Sequence, residues 1–381
     1  KTSLPYNSLA HRTTWLRSDL FMTLGLCRIV KNEEEVLARC LDSVQGLTDE
    51  IVIVDTGSQD ATIQTAKRYT DLVYPYRWNF DFAAARNYAF SLASADYILW
   101  LDADDVLLEK DRNALLALKK KLDGSVNAYF LRYDAAFDED GNAVMYFFRE
   151  RIVKRECGFV WQGRVHETLC VAPPVRCEAG IAVTHKRGAR KERGRNLFIF
   201  ARMFADGTMP DDRQKYYFAR ELCDNGLYDT AAAAFESFLR GGGWAEDKAE
   251  ACRALAHCYK IKGEPQKQLS ALMRSFDYAP PRPEICCDLG DLYREAHDYS
   301  KAVFWYKLAL NEKTQAGNGF ICPDCSGLIP CLWLCVCFDK LGDYSRAKHY
   351  NDLAGKIRPQ DKSYLHNKAY FEKIFYNEDK T

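Results

Sequence analysis

The segment ILWLDADDVL, residues 98–107, carries an apolar run directly into three carboxylates, those of Asp102, Asp104 and Asp105. Side chains two positions apart in an extended chain point the same way, so Asp102 and Asp104 can face one point while Asp105 turns aside. Two carboxylates that converge in an apolar setting repel each other unless a cation lies between them. Oxygen ligands of this kind suit a hard divalent cation. The alternative is a solvated turn whose aspartates cap the following helix.

A second acid closes another buried strand at the same edge of the predicted sheet. The apolar run EIVIVD, residues 50–55, ends in Asp55, much as the first run ends in Asp102. From residue 24 to about residue 182, strand-like and helix-like patterns alternate, which predicts an α/β domain with a mostly parallel sheet flanked by helices. Ligands of open parallel sheets bind outside the carboxyl ends of the strands. We therefore expect both acids at a binding site.

The second half of the sequence has helical periodicity and an internal repeat. Four phrases align, headed by Gly226, Gly263, His297 and Gly342, and they recur roughly 34 to 45 residues apart. Three of them carry an alanine shortly afterwards, where a small side chain lets paired helices approach. This is the helix–turn–helix period of tetratricopeptide repeats, and it predicts an all-α domain of helical repeats.

Composition limits the partners that the chain can have. Lys and Arg total 53 and so do Asp and Glu, so no overall field attracts nucleic acid or an anionic membrane. The longest apolar run, CLWLCVCF (331–338), is too short to span a bilayer. The 15 cysteines are spread along the chain, which favours reduced thiols over a disulfide framework. We expect a cytoplasmic protein with neither a nucleic-acid partner nor a membrane span.

Several motifs occur in a characteristic order between residues 24 and 186. They are KNEEEVLARCLDSV, VDTGSQDAT, WNFDFAAARN, WLDADD, and WQGRVHE followed by THK. In this order they resemble the landmarks of the family 2 glycosyltransferases, whose fold is called GT-A. The resemblance implies an inverting transfer of sugar from a nucleoside-diphosphate sugar, most often a UDP-hexose, with Mg²⁺ or Mn²⁺. Many members have a second acid where this chain has Thr56, which leaves the identity of the nucleotide open.

The resemblance also implies roles for individual residues. The donor-binding residues that it implies are Asp55, Ser58, Asp60, Arg86, Asp102, Asp104 and Arg151. Asp104 is the expected main metal ligand, Asp102 lies toward ribose and metal, and His185 completes the metal shell. Arg86 and Arg151 would meet the donor's phosphates or ribose, since a guanidinium matches phosphate oxygens. The alternatives are a surface helix arginine, a strand-edge charge and, for His185, a strand-end histidine bonded to the backbone.

An inverting transfer needs a general base beside the acceptor atom. Glu167 is the first candidate and Asp105 the second, because a carboxylate in a crowded site is the common choice. His166 is the third candidate. It is adjacent to Glu167, so in an extended stretch the two side chains would face opposite sides and one of them alone would contact substrate.

The patterns divide the chain into four segments. They are an N-terminal segment (1–22), a GT-A nucleotide-sugar glycosyltransferase domain (23–190), a linker (191–212) entered through the charged run KRGARKERGR, and tetratricopeptide-like repeats (213–381). Stacked repeats form a groove that holds an extended peptide or protein. A groove joined to a transferase suggests a peptide Cys, Ser or Thr acceptor, and the motif order resembles enzymes that glycosylate bacteriocin peptides.

Two other functions remain open for this architecture. In the first, the acceptor is a cell-surface polysaccharide or a lipid-linked sugar, and the repeats serve as a homodimer or docking surface. In the second, the protein is a non-catalytic repeat scaffold with a degenerate transferase domain, although intact Asp102 and Asp104 argue against it. The sequence lacks the glycine-rich motifs of P-loop and dinucleotide-binding proteins. The run CRIVKNEEE has no glycine, which argues against a nucleotidyltransferase.

The pair Cys322 and Cys325 in CPDCSG is spaced like half of a structural zinc site. Cys331, Cys335 and Cys337 follow closely and could supply the remaining thiolates. The alternative is an insertion between helices, followed by a helix that uses cysteine as a small apolar residue.

Overall fold

The chain folds into a sheet-containing half followed by a helical half. A computed structural model describes residues 21–186, 188, 194–312 and 319–378. Its strands are β1 (Leu24–Val30), β2 (Glu50–Asp55), β3 (Val73–Pro75), β4 (Tyr97–Trp100), β5 (Asp105–Val106), β6 (Ala128–Phe137), β7 (Ala143–Lys154), β8 (Trp161–Gln162), β9 (Thr168–Leu169) and β10 (Val175–His185).

The helices alternate with these strands at first and then follow one another without interruption. They are α1 (Leu37–Val44), α2 (Thr62–Ala66), α3 (Phe82–Ser91), α4 (Glu109–Lys119), α5 (Arg195–Ala205), α6 (Asp212–Asp224), α7 (Tyr228–Arg240), α8 (Ala245–Ile261), α9 (Pro265–Arg274), α10 (Pro283–Glu295), α11 (Tyr299–Asn311), α12 (Leu328–Lys340), α13 (Tyr344–Ile357) and α14 (Lys362–Glu378). No helix among the described residues is both long and apolar enough to cross a membrane.

An eight-stranded sheet with the order β3-β2-β1-β4-β7-β6-β10-β5 organises the first half. Strands β3, β2, β1 and β4 are parallel, as the alternating pattern predicts. Beyond β4 the sheet is mixed, because β7 is antiparallel to both β4 and β6 while β10 is parallel to β6. The predicted α/β fold is confirmed, with a mixed far half formed by the β6–β7 hairpin and β10.

The parallel strands are buried on both faces. Successive residues of a strand point to opposite faces, so Leu26 of β1 packs with Leu41 of α1 while its neighbour Cys27 packs with Ala89 of α3. Strands covered in this way read as continuous apolar runs. Polar side chains are consequently confined to the strand ends, where the candidate site lies.

A tight turn brings the acids together at the end of β4. This strand ends at Trp100, Leu101 remains fully buried, and the amide of Asp105 donates to the carbonyl oxygen of Asp102 over 3.0 Å. The chain then enters β5, whose Asp105 is paired with His185 at the end of β10. The turn therefore places a carboxylate from β5 against a histidine that lies 80 residues further along the chain.

The helical half consists of consecutive helix pairs. Helices α6 and α7, α8 and α9, α10 and α11, and α12 and α13 pack as neighbours. The turns contain Gly226, Gly263 and Gly342 with φ of 79°, 70° and 77°, a left-handed conformation that favours glycine. At the corresponding turn before α11, His297 adopts φ 61°. The predicted helix–turn–helix repeats are confirmed.

The segment predicted as a linker, 191–212, contains a helix. Residues Arg195–Ala205 form α5, in which Ile199, Phe200 and Met203 are fully buried. The apolar spacing in NLFIFARMF explains this helix, although the charges before it had suggested a linker. Residues 187 and 189–193 of the charged run lie outside the described residues, as do residues 1–20 of the predicted N-terminal segment.

We predict that Gly290→Ala destabilises the helical half by about 1–2 kcal/mol in urea unfolding, because overpacking costs more than the roughly 1 kcal/mol of added helix propensity. A Cβ at Gly290 would lie 2.5 Å from the ring of Tyr306. That ring cannot yield easily, since it is fully buried and its hydroxyl donates to Asp291 over 2.7 Å. Gly180→Ala is the control, because a Cβ there meets no atom within 4 Å. A variant at position 290 as stable as the wild type would contradict this packing.

Candidate active site at the carboxyl end of the sheet

Three ligand atoms converge at the end of β4. One atom each from Asp104, Asp105 and His185 lies within 4.8 Å of the other two, and this is the one such group of three among the described residues. The distance from His185 Nδ1 to Asp104 Oδ1 is 3.5 Å, and to Asp105 Oδ1 it is 3.7 Å. The predicted metal ligands Asp104 and His185 are thus brought together, with Asp105 beside them where Asp102 had been expected.

The group has the chemistry of a divalent-cation site. Asp105 is fully buried, its Oδ2 lies 3.1 Å from Arg151, and its Oδ1 has no hydrogen-bond partner. A buried, unpartnered carboxylate oxygen is costly. Two carboxylates and one imidazole form a mixed oxygen and nitrogen donor set that Mn²⁺ or Mg²⁺ accepts. These residues therefore fit such an ion.

His185 is oriented by a neighbouring tyrosine. The hydroxyl of Tyr133 lies 3.0 Å from His185 Nδ1. The suggested hydrogen bond from a strand-end histidine to the backbone is therefore replaced by a side-chain contact from β6. Nδ1 is also the nitrogen that faces Asp104 and Asp105, so coordination through Nδ1 would displace the Tyr133 hydroxyl from it.

Negative charge at this edge is only partly neutralised. Burial raises the pKa of Asp104, and the charges of Asp102 and Asp105 add to the rise while His185 opposes it. Burial also raises the pKa of Glu33, in the loop after β1, to about 7, with Asp104 contributing and Arg28 opposing. Carboxyls that resist ionisation beside one another mark a place where a cation would be favoured.

Arg86 of α3 connects two of the predicted site acids. Its Nε donates to Glu167 Oε1 over 2.7 Å, and its Nη2 donates to Asp102 Oδ1 over 2.6 Å. The guanidinium is buried between Trp100 and Trp161, with ring centroids 5.2 and 5.0 Å away. Arg86 is therefore not a surface arginine. Burial alone would raise the pKa of Asp102, but Arg86 and Arg151 hold it well below its usual range.

Arg151 lies beneath the acids rather than on an open face. Its side chain is 1% exposed, and its guanidinium lies 4.0 Å from the centroid of the Trp100 ring and 4.5 Å from that of Tyr133. The alternative of a strand-edge charge is wrong for this residue. Its contact with Asp105 gives it a place in the site, although the predicted contact with the donor is not supported by this burial.

The predicted nucleotide motif holds two loops together. Asp55 accepts from the amides of Gly57 and Ser58 over 3.0 and 3.1 Å, and Ser58 Oγ accepts from the amide of Asn32 over 2.9 Å. Asp60 accepts from the amide and the hydroxyl of Thr62 over 3.0 and 2.5 Å. These contacts join the loop after β1 to the loop after β2. The donor-binding role of Asp55, Ser58 and Asp60 stays a prediction.

The three candidate bases have different surroundings. Asp105 is enclosed, and Glu167 is bound to Arg86 with its side chain 12% exposed. His166 is not in an extended stretch, and its Nε2 lies 2.7 Å from Glu221 of α6. Its backbone φ is 52°, an uncommon conformation for a non-glycine residue that often accompanies a functional role.

The predicted zinc site is not assembled in the described part of the chain. Cys322 and Cys325 are close to Cys287, whose thiol donates to the Cys325 carbonyl over 3.3 Å. Neither belongs to a group of three metal-binding atoms, and the later cysteines of CLWLCVCF are buried in α12. Cys325 packs with Cys286 and Cys287 in an apolar cluster that Cys322 adjoins. Residues 315–318 of the same insertion lie outside the described residues.

Sequence reasoning missed four residues that surround the site. They are Arg28, Glu33, Tyr133 and Glu221. Arg28 is 1% exposed and its three guanidinium nitrogens have no hydrogen-bond partner. Its signal was visible as the one charge inside the apolar strand LGLCRIV. Tyr133 and Glu221 gave no such signal, because their importance depends on contacts between distant elements.

Comparisons with known proteins agree with this geometry. Residues 27–172 match the family described as Glycosyl transferase family 2. The SPbeta prophage-derived glycosyltransferase SunS of Bacillus subtilis is 26% identical over 151 residues, which are 38% of this chain and 34% of that protein. A TPR repeat-containing protein of Synechococcus elongatus is 45% identical over 85 residues, which are 22% of this chain and 21% of that protein.

A third relative is the lipopolysaccharide core biosynthesis glycosyltransferase LpsC of Rhizobium meliloti, 34% identical over 83 residues, which are 21% of this chain and 30% of that protein. The matched segments thus span between 21% and 34% of the length of these three relatives. With the sheet and its acid group, the matches define an α/β domain of the glycosyltransferase class. The chain carries a family 2 glycosyltransferase domain followed by tetratricopeptide-like repeats.

We predict that Glu33→Gln stabilises the metal-free protein at pH 8 but not at pH 4.5. The folded state raises the pKa of this carboxyl from 4.5 to about 7, so the folded protein binds the proton more tightly. Wild-type stability therefore falls as the pH rises through this window. The gain for Gln at pH 8 is on the order of 1 kcal/mol after allowance for solvent screening. Urea unfolding in EDTA measures it, with the exposed Glu35→Gln as control.

Proposed function

We propose that this protein is an inverting, metal-dependent glycosyltransferase that moves a sugar, from UDP-hexose as the first choice of donor, to a side chain of a peptide. The convergence of Asp104, Asp105 and His185 at the carboxyl edge of a family 2 domain carries this proposal. A scaffold with a degenerate transferase domain would not need to keep a buried, unpartnered carboxylate oxygen on Asp105. The preserved acid group therefore favours an enzyme.

In this proposal the acid group receives the donor's diphosphate. Asp104, Asp105 and His185 would hold a Mg²⁺ or Mn²⁺ ion, which when bound supplies positive charge where the leaving diphosphate becomes negative. Arg151 contacts Asp105, and the hydroxyl of Tyr133 contacts His185 Nδ1, which it would yield to the ion. Arg86 forms salt bridges with both Asp102 and Glu167. The loops joined by Asp55, Ser58 and Asp60 offer their polar groups to base and ribose.

The transfer itself is a displacement at the anomeric carbon. The acceptor heteroatom forms a bond to that carbon, and the bond from carbon to the diphosphate oxygen breaks with its electron pair. The acceptor's proton passes to a general base. Inversion requires acceptor and leaving group on opposite sides of the sugar. The acceptor therefore approaches from the side away from the diphosphate.

The helical half provides a surface for a peptide acceptor. A cavity of about 430 Å³ lies on helices α6, α8, α9 and α10. Its lining carries both charges and aromatic surface, including Tyr216, Arg220, Glu250, Arg253 and Asp288. A lining of mixed charge suits a polypeptide, whose own side chains have both signs. The matched relatives SunS and LpsC are named as glycosyltransferases, the latter for lipopolysaccharide core, so a saccharide acceptor is the second candidate.

The proposed binding of the nucleotide-sugar donor with a metal ion is tested by thermal unfolding with UDP and Mn²⁺. We expect the two together to raise the melting temperature and either alone to have little effect. Asp104→Ala should remove the shift and lower turnover by at least about 10²-fold, because charge stabilisation of the leaving group is lost. Asp140→Ala, an exposed acid in the β6–β7 turn, is the matched control. If no nucleoside diphosphate stabilised the wild type with metal, the transferase assignment would fall.

The acceptor is identified by mass. The full chain is incubated with Mn²⁺, a panel of nucleotide sugars and the peptide encoded by a neighbouring gene, and the products are weighed. A gain of one hexose on the peptide is the expected result. A sugar gain confined to lipid-linked or polysaccharide acceptors would favour the second candidate instead. Arg253→Glu, which reverses a cavity charge now bound to Asp288 over 2.6 Å, should raise KM for the peptide without changing the release of UDP to water.

A further inference from the structure

The first repeat helix, α6, contacts His166 of the transferase half. His166 Nε2 lies 2.7 Å from Glu221 Oε1, and the imidazole stacks on Tyr217 with centroids 4.2 Å apart and planes at 16°. Glu221 and Tyr217 both belong to α6. Helix α6 therefore fixes both the edge and the face of this ring.

Glu221 also contacts a second helix, α5. Its side chain is 11% exposed, and its Oε1 also accepts from Asn196 Nδ2 of α5 over 2.7 Å. Helix α6 begins with a capping box in which Asp211 and Gln214 exchange hydrogen bonds, so the orientation of the helix start is well defined. The carboxylate thus points at His166 from a rigid element rather than from a loop.

The hydrogen bond determines which nitrogen of His166 can accept a proton. An ionised carboxylate is an acceptor only, so the proton of this contact belongs to Nε2. Nδ1 then carries the free lone pair. The side chain keeps 29% of its surface exposed, which leaves the ring accessible to a substrate.

His166 also lies next to the donor site along the chain. Its neighbour Glu167 contacts Arg86, which contacts Asp102. The carbonyl of Arg164 accepts from the amide of Phe82, the first residue of α3, over 2.9 Å. The loop is therefore anchored to the same helix that carries Arg86. Consecutive residues place the Cα atoms of His166 and Glu167 about 4 Å apart.

The other two candidate bases each contact a buried arginine. Glu167 Oε1 is already bound to the guanidinium of Arg86, and Asp105 is fully buried against Arg151. His166 has no such cationic partner among its contacts in the described residues.

We propose that His166 is the general base of the transfer and that Glu221 is the positioning residue that holds Nδ1 toward the acceptor. This inference rests on the proposed function and adds that the first repeat helix completes the transfer site. The acceptor's oxygen or sulfur forms the bond to the anomeric carbon, its proton moves to Nδ1, and the diphosphate leaves with the electron pair. Glu221 stabilises the imidazolium that results, through the contact at Nε2.

The first test reads the histidine directly and needs no substrate. In the full chain labelled with ¹⁵N-histidine, seven histidines are present, and His166→Asn identifies the signal. We expect the Nε2-protonated tautomer of the neutral ring in the wild type and a mixture of tautomers in Glu221→Gln. An Nδ1-protonated ring in the wild type, or a signal indifferent to Glu221→Gln, would overturn the proposal.

The second test separates transfer from donor binding. The release of UDP to water is measured with Mn²⁺ and the most active of UDP-glucose, UDP-galactose and UDP-N-acetylglucosamine. Glu221→Gln should lower kcat by about 10-fold or more, toward the 10²-fold typical of losing general-base catalysis, with KM for the donor within about 2-fold. Glu236→Gln is the control and should behave as wild type. It removes a different carboxylate of the repeat half, one that lies 3.0 Å from Arg274.

The third test asks whether the imidazole acts as a base or only as a spacer. His166→Gly suits the left-handed backbone at this position, so the variant is expected to fold. Added imidazole should restore its turnover at least several-fold while leaving His166→Asn unchanged, because Asn fills the space without leaving room for a base. No rescue, together with unchanged kcat in Glu221→Gln, means that His166 is purely structural. A wild type that neither binds nor turns over any donor instead defeats the proposed function.

Discussion

Crowded negative charge at the end of β4 is the constraint on which the site depends. Burial raises the pKa of Asp104 and of Glu33, so a nearby cation would favour the ionised form of both carboxyls. The protein supplies part of the compensation through Arg86 and Arg151, both almost fully buried. Burying such charges is favourable only when they are paired. Positive charge is still lacking near Asp104 and Asp105, where Asp105 Oδ1 has no hydrogen-bond partner.

Asp102 and Asp104 belong to one cluster of acids but differ in how their charges are compensated. Asp102 is bound to Arg86, and its pKa is held well below the usual range, so it remains ionised. Asp104 is held less tightly, with the imidazole of His185 3.5 Å from its carboxylate. An acid that is already neutralised can orient its neighbours, whereas an acid that lacks a partner can bind a ligand. Asp102 and Asp104 therefore have unlike surroundings, although the sequence presents them alike.

The sequence predicts the features that arise from local patterns. Apolar runs ending in Asp55 and Asp102 gave the strand ends, and glycine turns such as Gly226 gave the repeats. The errors of the sequence-based predictions concern contacts across the sheet. The pairing of Asp105 with His185 depends on the register of β5 against β10. The burial of Arg86 depends on Trp161, 75 residues later, and no periodicity encodes either contact.

The two halves also meet at the β6–β7 hairpin. Ile321, after α11, bridges Tyr146 on the free edge of β7, and Phe320 packs its ring against Phe147 at 5.0 Å. Arg220 of α6, which lines the repeat cavity, lies under that same Phe320 ring. Contacts at α6 and at the insertion thus fix the cavity relative to the β6–β7 hairpin. Under the proposed function, an acceptor held in this cavity would therefore keep a fixed position relative to that hairpin.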